Sequence, residues 1–204
     1  MILRVNSFNG YSELMRTVGF VASPRKDGNT SYVVNKILEG AGEAGAETQI
    51  WYSGELDIRP CKGCLGCVES GKCTIDDDMQ KIYDSLKQAD AVVLGSPVYM
   101  GQMTAQAKTF MDRLFAQITP RFSPRFKEEN AGKKMILVFT QGNPDPEKFK
   151  VYYEYTRKMF QMLEFDVKDA IVVTDTRNKQ ASEMPQIWNS MKKAGYALVR
   201  NDEQ

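Results

Sequence analysis

"TVGFVASPRKDGNTSY", residues 17–32, decides the fold. Thr17–Ser23 is a nearly unbroken apolar run ending in small residues, the pattern of a strand buried on both faces. Gly28, Asn29, Thr30 and Ser31 then open a stretch of different period, in which Val33, Val34, Ile37 and Leu38 recur at helical spacing. The Gly-rich "EGAGEAGAE" ends that stretch, so the spacing predicts a helix over Thr30–Ala44. A buried strand feeding a helix through a short polar loop is the repeating unit of a parallel sheet.

The same unit recurs along the chain. Further strands are expected at 47–53, 91–96, 134–140 and 165–175. Helices are expected at Asp77–Gln88, Thr104–Gln117, Pro146–Leu163 and Ala181–Leu198. Strict alternation predicts an α/β three-layer sandwich: a five-stranded parallel sheet covered by helices on both sides, in the flavodoxin-like order 2-1-3-4-5. There is no internal repeat and no low-complexity segment. The expected organisation is an N-terminal arm, 1–16, followed by one domain, 17–204.

Composition limits the function. The 204 residues carry a net charge of +1, with 42% hydrophobic and 26% charged residues, normal for a soluble globular chain. That charge gives no electrostatic case for nucleic acid or an anionic membrane. No stretch is long and apolar enough to span a bilayer. The N-terminus does not read as a secretory signal, so the expected compartment is the cytoplasm, where structural disulfides are rare. The chain has no histidine. A histidine base, a Ser-His-Asp triad and any histidine-ligated metal are therefore excluded.

In such a sheet, ligands bind outside the carboxyl ends of the strands, at the switch point between strands 1 and 3. Three distinctive loops fall there. The first, with Ser23 and Asn29–Ser31, offers a helix N-terminus and hydroxyls, which suit a phosphate and equally an ordinary helix cap. It lacks both the Gly-x-Gly-x-x-Gly spacing and the Lys-Ser/Thr of a nucleotide P-loop. The second, "GSPVYMGQ", places Pro97 and Tyr99 where a flat ring could pack, although proline turns after strands are common. The third, "TQGNPDPE", supplies Thr140, Gln141, Gly142 and Asn143 on the same rim. Together they describe a slot with a phosphate end and a flat end.

All four cysteines, Cys61, Cys64, Cys67 and Cys73, lie in "CKGCLGCVESGKC", the loop 61–73. Three thiols at two-residue gaps with a fourth closing the set resemble the compact runs that hold a 4Fe–4S cluster. A zinc site and bare thiols remain open readings. Gly63, Gly66 and Gly71 would let the loop curl around an inorganic core. The flanking Asp76–Asp78 read as caps of the following helix, and their charge would lower the potential of a nearby cluster.

"SPRKDGNTS", the cysteine run, "ADAVVLGSPVYMGQMTAQAKTFMDR" and "TQGNPD" resemble the NAD(P)H-dependent FMN reductase superfamily, and within it the iron–sulfur flavoproteins. The resemblance implies that Ser23, Arg25, Asn29, Thr30 and Ser31 surround an FMN phosphate. It implies that Pro97, Val98, Tyr99 and Met100, with Thr140 and Gly142, border the isoalloxazine. It also implies a homodimer or homotetramer. Lys108, Asp112 and Arg113 match a recurring pattern of that family, read physically as an exposed i,i+4 pair.

Three functions follow as expectations. The first is an oxidoreductase joining two-electron FMN to a one-electron 4Fe–4S cluster, with ferredoxin or a small molecule as redox partner. The second is an NAD(P)H-dependent FMN or quinone reductase without a cluster. The third is a non-enzymatic redox-sensing module. Arg121 and Arg125 read as a solvated basic loop, with a nicotinamide-cofactor phosphate as the alternative.

Overall fold

The computed structural model describes residues 14–117 and 130–200. Nearly all of the expected arm, and both Arg121 and Arg125, lie outside the described residues. The elements run β1 (Arg16–Val21), α1 (Asn29–Glu43), β2 (Glu47–Tyr52), α2 (Gly66–Ser70), α3 (Met79–Gln88), β3 (Ala91–Tyr99), β4 (Gln102–Met103), α4 (Ala105–Arg113), β5 (Lys134–Thr140), α5 (Lys150–Met162), β6 (Asp166–Val173) and α6 (Pro185–Val199). The sheet order is β2-β1-β3-β5-β6, with β4 paired only to β3. The five long strands pair in parallel, in the order expected from the sequence.

Alternation within the buried strands distributes side chains between two cores. Val18 and Phe20 of β1, Val92 and Leu94 of β3, and Leu137 and Phe139 of β5 face α3, α4 and α5. Val21, Val93, Ile136 and Val138 face α1 and α6. Phe20 stacks on Phe110 of α4, ring centroids 4.3 Å apart. Helix α1 sits close to the sheet because Gly95 leaves room. A Cβ there would lie 2.5 Å from Val34 Cγ2 and 2.8 Å from Thr30 Cγ2. Helices α1 and α6 cross where Gly40 and Gly195 meet, since an added Cβ on either would collide with backbone of the other helix. No described helix is long and apolar enough to cross a membrane.

Several boundaries differ from expectation for identifiable reasons. β3 continues through Pro97 and Val98 to Tyr99, then reverses at Met100 (φ 50°) and Gly101 (φ 80°) into β4. Two consecutive left-handed residues make the tight hairpin turn that matches strand twist. Met-Gly is a weak signal for such a turn, so the hairpin was not expected. The helix expected from Pro146 begins at Lys150, because Gln141 Nε2 donates to the carbonyls of Asn143 and Asp145 and keeps that segment turned. The last helix is split. Ala181–Glu183 forms a 3-10 turn closed by a reciprocal Gln180–Glu183 capping box, and Pro185 then starts α6.

Candidate functional site

The expected phosphate end lies where β1 runs out. Gly28, in extended conformation, precedes α1, whose N-terminus has no side-chain cap and no acidic residue in its first turn. No side chain caps its amide groups, and no acid within that turn offsets the positive end of its dipole. Ser23 is buried, with its Oγ accepting from Arg25 N at 3.2 Å. Ser31 Oγ donates to the Arg25 carbonyl at 3.4 Å, which curls the loop around that point. Arg25 itself is exposed. A recess of about 310 Å³ opens here between Lys26, Ser31, Asn35 and Tyr52.

Two more of the expected phosphate contacts, Thr30 and Asn29, are bonded to distant parts of the fold. Thr30 Oγ1 is 2.6 Å from Thr140 Oγ1, joining α1 to the end of β5. Asn29 accepts from Ala181 N at 2.8 Å and donates to the Thr176 carbonyl at 3.2 Å. It thus ties the phosphate loop to the segment after β6, a contact between residues too distant in sequence to be anticipated.

The flat end is the rim of β3 and β5. Pro97 and Thr140 are register partners, both buried. Val98 is half-buried, Tyr99 is 43% exposed, and Met100 at the hairpin tip is fully exposed. Arg177 lies over Gly142, where a Cβ would be 3.3 Å from Arg177 Cβ, so this glycine allows the arginine to cross the rim. No sequence motif pointed to Arg177. Burial pushes the Tyr153 hydroxyl up to about 12, and it donates to Gln141 Oε1 beneath the rim.

The cysteine segment leaves the rim after β2 and packs elsewhere. Helix α2 lies against the 3-10 turn Leu114–Ala116, beyond the C-terminal end of α4. The opposite end of α4 belongs to the rim. There Thr104 donates to the Ala22 carbonyl at 2.7 Å, and its own N–H bonds Ser96 Oγ at 3.0 Å. The length of α4 therefore lies between α2 and the rim.

All four thiols are free, Cys61 and Cys64 exposed, Cys67 and Cys73 half-buried. Gly63, Leu65 and Gly71 are left-handed and curl the segment. Hydrogen bonding by the Thr74 hydroxyl, 3.4 Å away, lowers the pKa of Cys64, aided by the Gly66 amide. Burial, with Cys73 alongside, raises that of Cys67. Among the described residues, no three Cys, Asp or Glu side chains are drawn together as for a metal ion. The donor set matches an iron–sulfur cluster in number, chemistry and containment within one loop, but the thiols are not gathered.

The acids flanking this segment do more than cap a helix. Asp77 Oδ1 accepts from Met79 N at 3.1 Å, while Arg113 grips the same carboxylate from α4. Asp78 pairs with Lys81. These cations cancel much of the negative charge expected to act on the loop. Lys108 and Asp112 form the exposed i,i+4 pair expected, at 2.5 Å. Arg113 does not belong to it; it is wholly buried against Asp77.

A doubly wound sheet with an open helix N-terminus and an aromatic rim at its switch point defines a flavodoxin-like protein. Residues 15–174 match the NADPH-dependent FMN reductase family, and the chain belongs to it. It is 43% identical over 99 residues to an iron–sulfur flavoprotein of Methanocaldococcus jannaschii, covering 48% of this chain and 51% of that one. It is 39% identical over 99 residues to an iron–sulfur flavoprotein of Methanosarcina thermophila, covering 48% and 52%. The matched region spans about half the length of these curated relatives. Among solved structures, the fold matches an NAD(P)H:quinone oxidoreductase from Methanothermobacter marburgensis with TM-score 0.72 at 15% identity, covering 92% of this chain and 98% of that one. It also matches an FMN-dependent NADH-azoreductase from Bacillus anthracis, with TM-score 0.65 at 16% identity, covering 92% and 100%.

Proposed function

We propose that this protein is an FMN-dependent oxidoreductase whose cysteine segment carries a 4Fe–4S cluster. Family membership supports the flavin. The observation that carries the cluster is the containment of all four free thiols in one curled segment, held at both ends by Asp77 and Asp78. When bound, FMN supplies two-electron chemistry and the cluster one-electron chemistry.

The chain's own residues position and exclude. The α1 N-terminus, with Ser31 and Arg25, would take the FMN phosphate through amide, hydroxyl and guanidinium donors. Pro97, Val98 and Tyr99 would wall one side of the isoalloxazine, with Thr140 and Gly142 at its edge. Met100, at the hairpin tip, would shield it from water. Cys61, Cys64, Cys67 and Cys73 would each supply a thiolate to the cluster. NAD(P)H is the proposed donor class, and a ferredoxin-like carrier or a small molecule the acceptor. A homodimer or homotetramer is the proposed assembly.

The alternative is a plain FMN or quinone reductase, favoured by thiols that are not drawn together. Anaerobic purification with FMN, iron, sulfide and zinc measured on one sample separates the two. The proposal expects one FMN and about four irons and four sulfides per chain. Full FMN with no iron or sulfide would leave the plain reductase.

A further inference from the structure

Arg113 ends α4 with no part of its side chain exposed. One terminal nitrogen donates to Asp77 Oδ2 at 2.7 Å and to the Arg59 carbonyl at 2.7 Å. The other donates to Asp77 Oδ1 at 3.0 Å. Asp77 also accepts from Arg59 N at 2.9 Å. Arg59 precedes the four cysteines and Asp77 follows them, so these bonds close the cysteine segment on itself. A second pair reinforces the closure: Asp57 N donates to Asp78 Oδ2 at 2.9 Å, and Asp78 N to the Asp57 carbonyl at 3.0 Å.

A fully buried ion pair adds little net stability over apolar residues of the same shape. Its location points to a positional role. Tyr83 donates to the Arg113 carbonyl at 2.7 Å and stands beside the Cys73 thiol. Gln80 Nε2 donates to the Cys73 carbonyl at 3.2 Å and to that of Ile75 at 2.6 Å. Arg113 Nε is buried without a partner among the described residues, close to Cys73. Cys73 is thus seated by the residues around Arg113, whereas Cys61 and Cys64 stand exposed. At its other end, α4 is bonded through Thr104 to Ala22 and Ser96 at the rim. At about 1.5 Å rise per residue, this helix is a rigid spacer of roughly 13 Å between rim and thiols.

We propose that Arg113 and Asp77 are the positioning residues of the cysteine segment, clamping its two ends to α4 so that Cys73 is held at a fixed distance from the flavin rim, ready to ligate an iron–sulfur cluster. The purpose rests on the cluster reading above; the clamp does not. A buried bidentate arginine suits this task because its planar fork fixes both distance and orientation, which lysine does not.

The test uses the whole chain carrying FMN, as Asp77→Asn, Arg113→Gln and Arg113→Lys, with Lys108→Gln as a surface control. Amide hydrogen exchange is followed in the reduced, metal-free protein, and iron and sulfide uptake is measured after anaerobic reconstitution at limiting iron. Exchange across 60–76 should accelerate about tenfold or more in all three clamp variants while β1, β3 and β5 keep parent rates. Iron uptake should fall about fivefold or more while FMN affinity stays within about twofold. Arg113→Lys should not restore the parent pattern. Should Arg113→Gln fail to fold, the near-isosteric Asp77→Asn carries the test. Parent-like exchange in 60–76 would overturn the clamp, as would acceleration spread evenly over the sheet. A parent protein that takes up neither iron nor sulfide would count against the cluster, while the exchange data still decide the clamp.

Discussion

The hydroxyls of Thr30 and Thr140 lie 2.6 Å apart, both side chains buried, and join the first turn of α1 to the last residue of β5. The bond ties the start of α1 to the end of β5, and so the two ends of the proposed slot to each other. Thr30→Val keeps the shape and leaves Thr140 without its partner, which should cost about 1–3 kcal/mol of stability. Ser31→Ala breaks only a long bond to the Arg25 carbonyl, so urea denaturation should barely change. FMN affinity in that variant should fall about tenfold if Ser31 donates to the phosphate. The two variants therefore separate scaffold from ligand contact. A Thr30→Val protein as stable as the parent would show that the hydroxyl pair contributes nothing.

Met100 occupies a left-handed position at the hairpin tip and is fully exposed. A non-glycine residue there costs about 1–2 kcal/mol, with no packing among the described residues to offset it. Met100→Gly should therefore stabilise the protein by up to about 1 kcal/mol in urea denaturation. If Met100 covers the isoalloxazine, the same change should raise the FMN dissociation rate. Greater stability with an unchanged rate would make Met100 only a strained turn residue.

How much of this was legible varies with the distance over which each feature is specified. β1, β3 and β5 were readable because burial on both faces forces continuous apolar runs, visible in a short window. The three rim loops followed from strand order alone. The hairpin was hidden because Met100 takes a conformation for which glycine or asparagine is the usual sign. The Asn29 bond to Ala181 and the Arg113–Asp77 pair join residues 152 and 36 positions apart. Nothing local distinguishes a buried arginine from the exposed arginine of an i,i+4 surface pattern. The cysteines were conspicuous as a set, but their position beyond the far end of α4 depends on that same hidden pair.

Strong acid should loosen the clamp. Burial alone would raise the pKa of Asp77, but Arg113 and the amides of Arg59 and Met79 outweigh it and hold the carboxylate below its usual range. A depressed folded pKa means a contribution present above the unfolded value of about 3.9 and lost as pH falls through the lower folded value. The parent should therefore lose stability faster than Asp77→Asn as pH drops below about 4, and the gap between their melting temperatures should narrow. Parallel melting curves across that range would mean that the carboxylate gains nothing from its partners.

Cys67→Ser distinguishes the proposed centres by separating their losses. The rim is built from the ends of β1, β3 and β5 and the start of α1, none of which touches Cys67 through a hydrogen bond. FMN should therefore bind with affinity within about twofold of the parent, and its reduction by dithionite or a hydride donor should survive. Serine is nearly isosteric but a harder, poorer ligand for iron, so iron and sulfide content should collapse. Electron exchange with a one-electron protein such as ferredoxin should fall with them. A zinc site predicts something else: stoichiometric zinc and no sulfide in the parent, with zinc weakened in the variant. Bare thiols predict parent-like metal content, near zero in both. Loss of FMN together with iron would be the most damaging outcome for two separable centres, because it would mean that the cysteine segment and the flavin slot are one site despite the length of α4 between them.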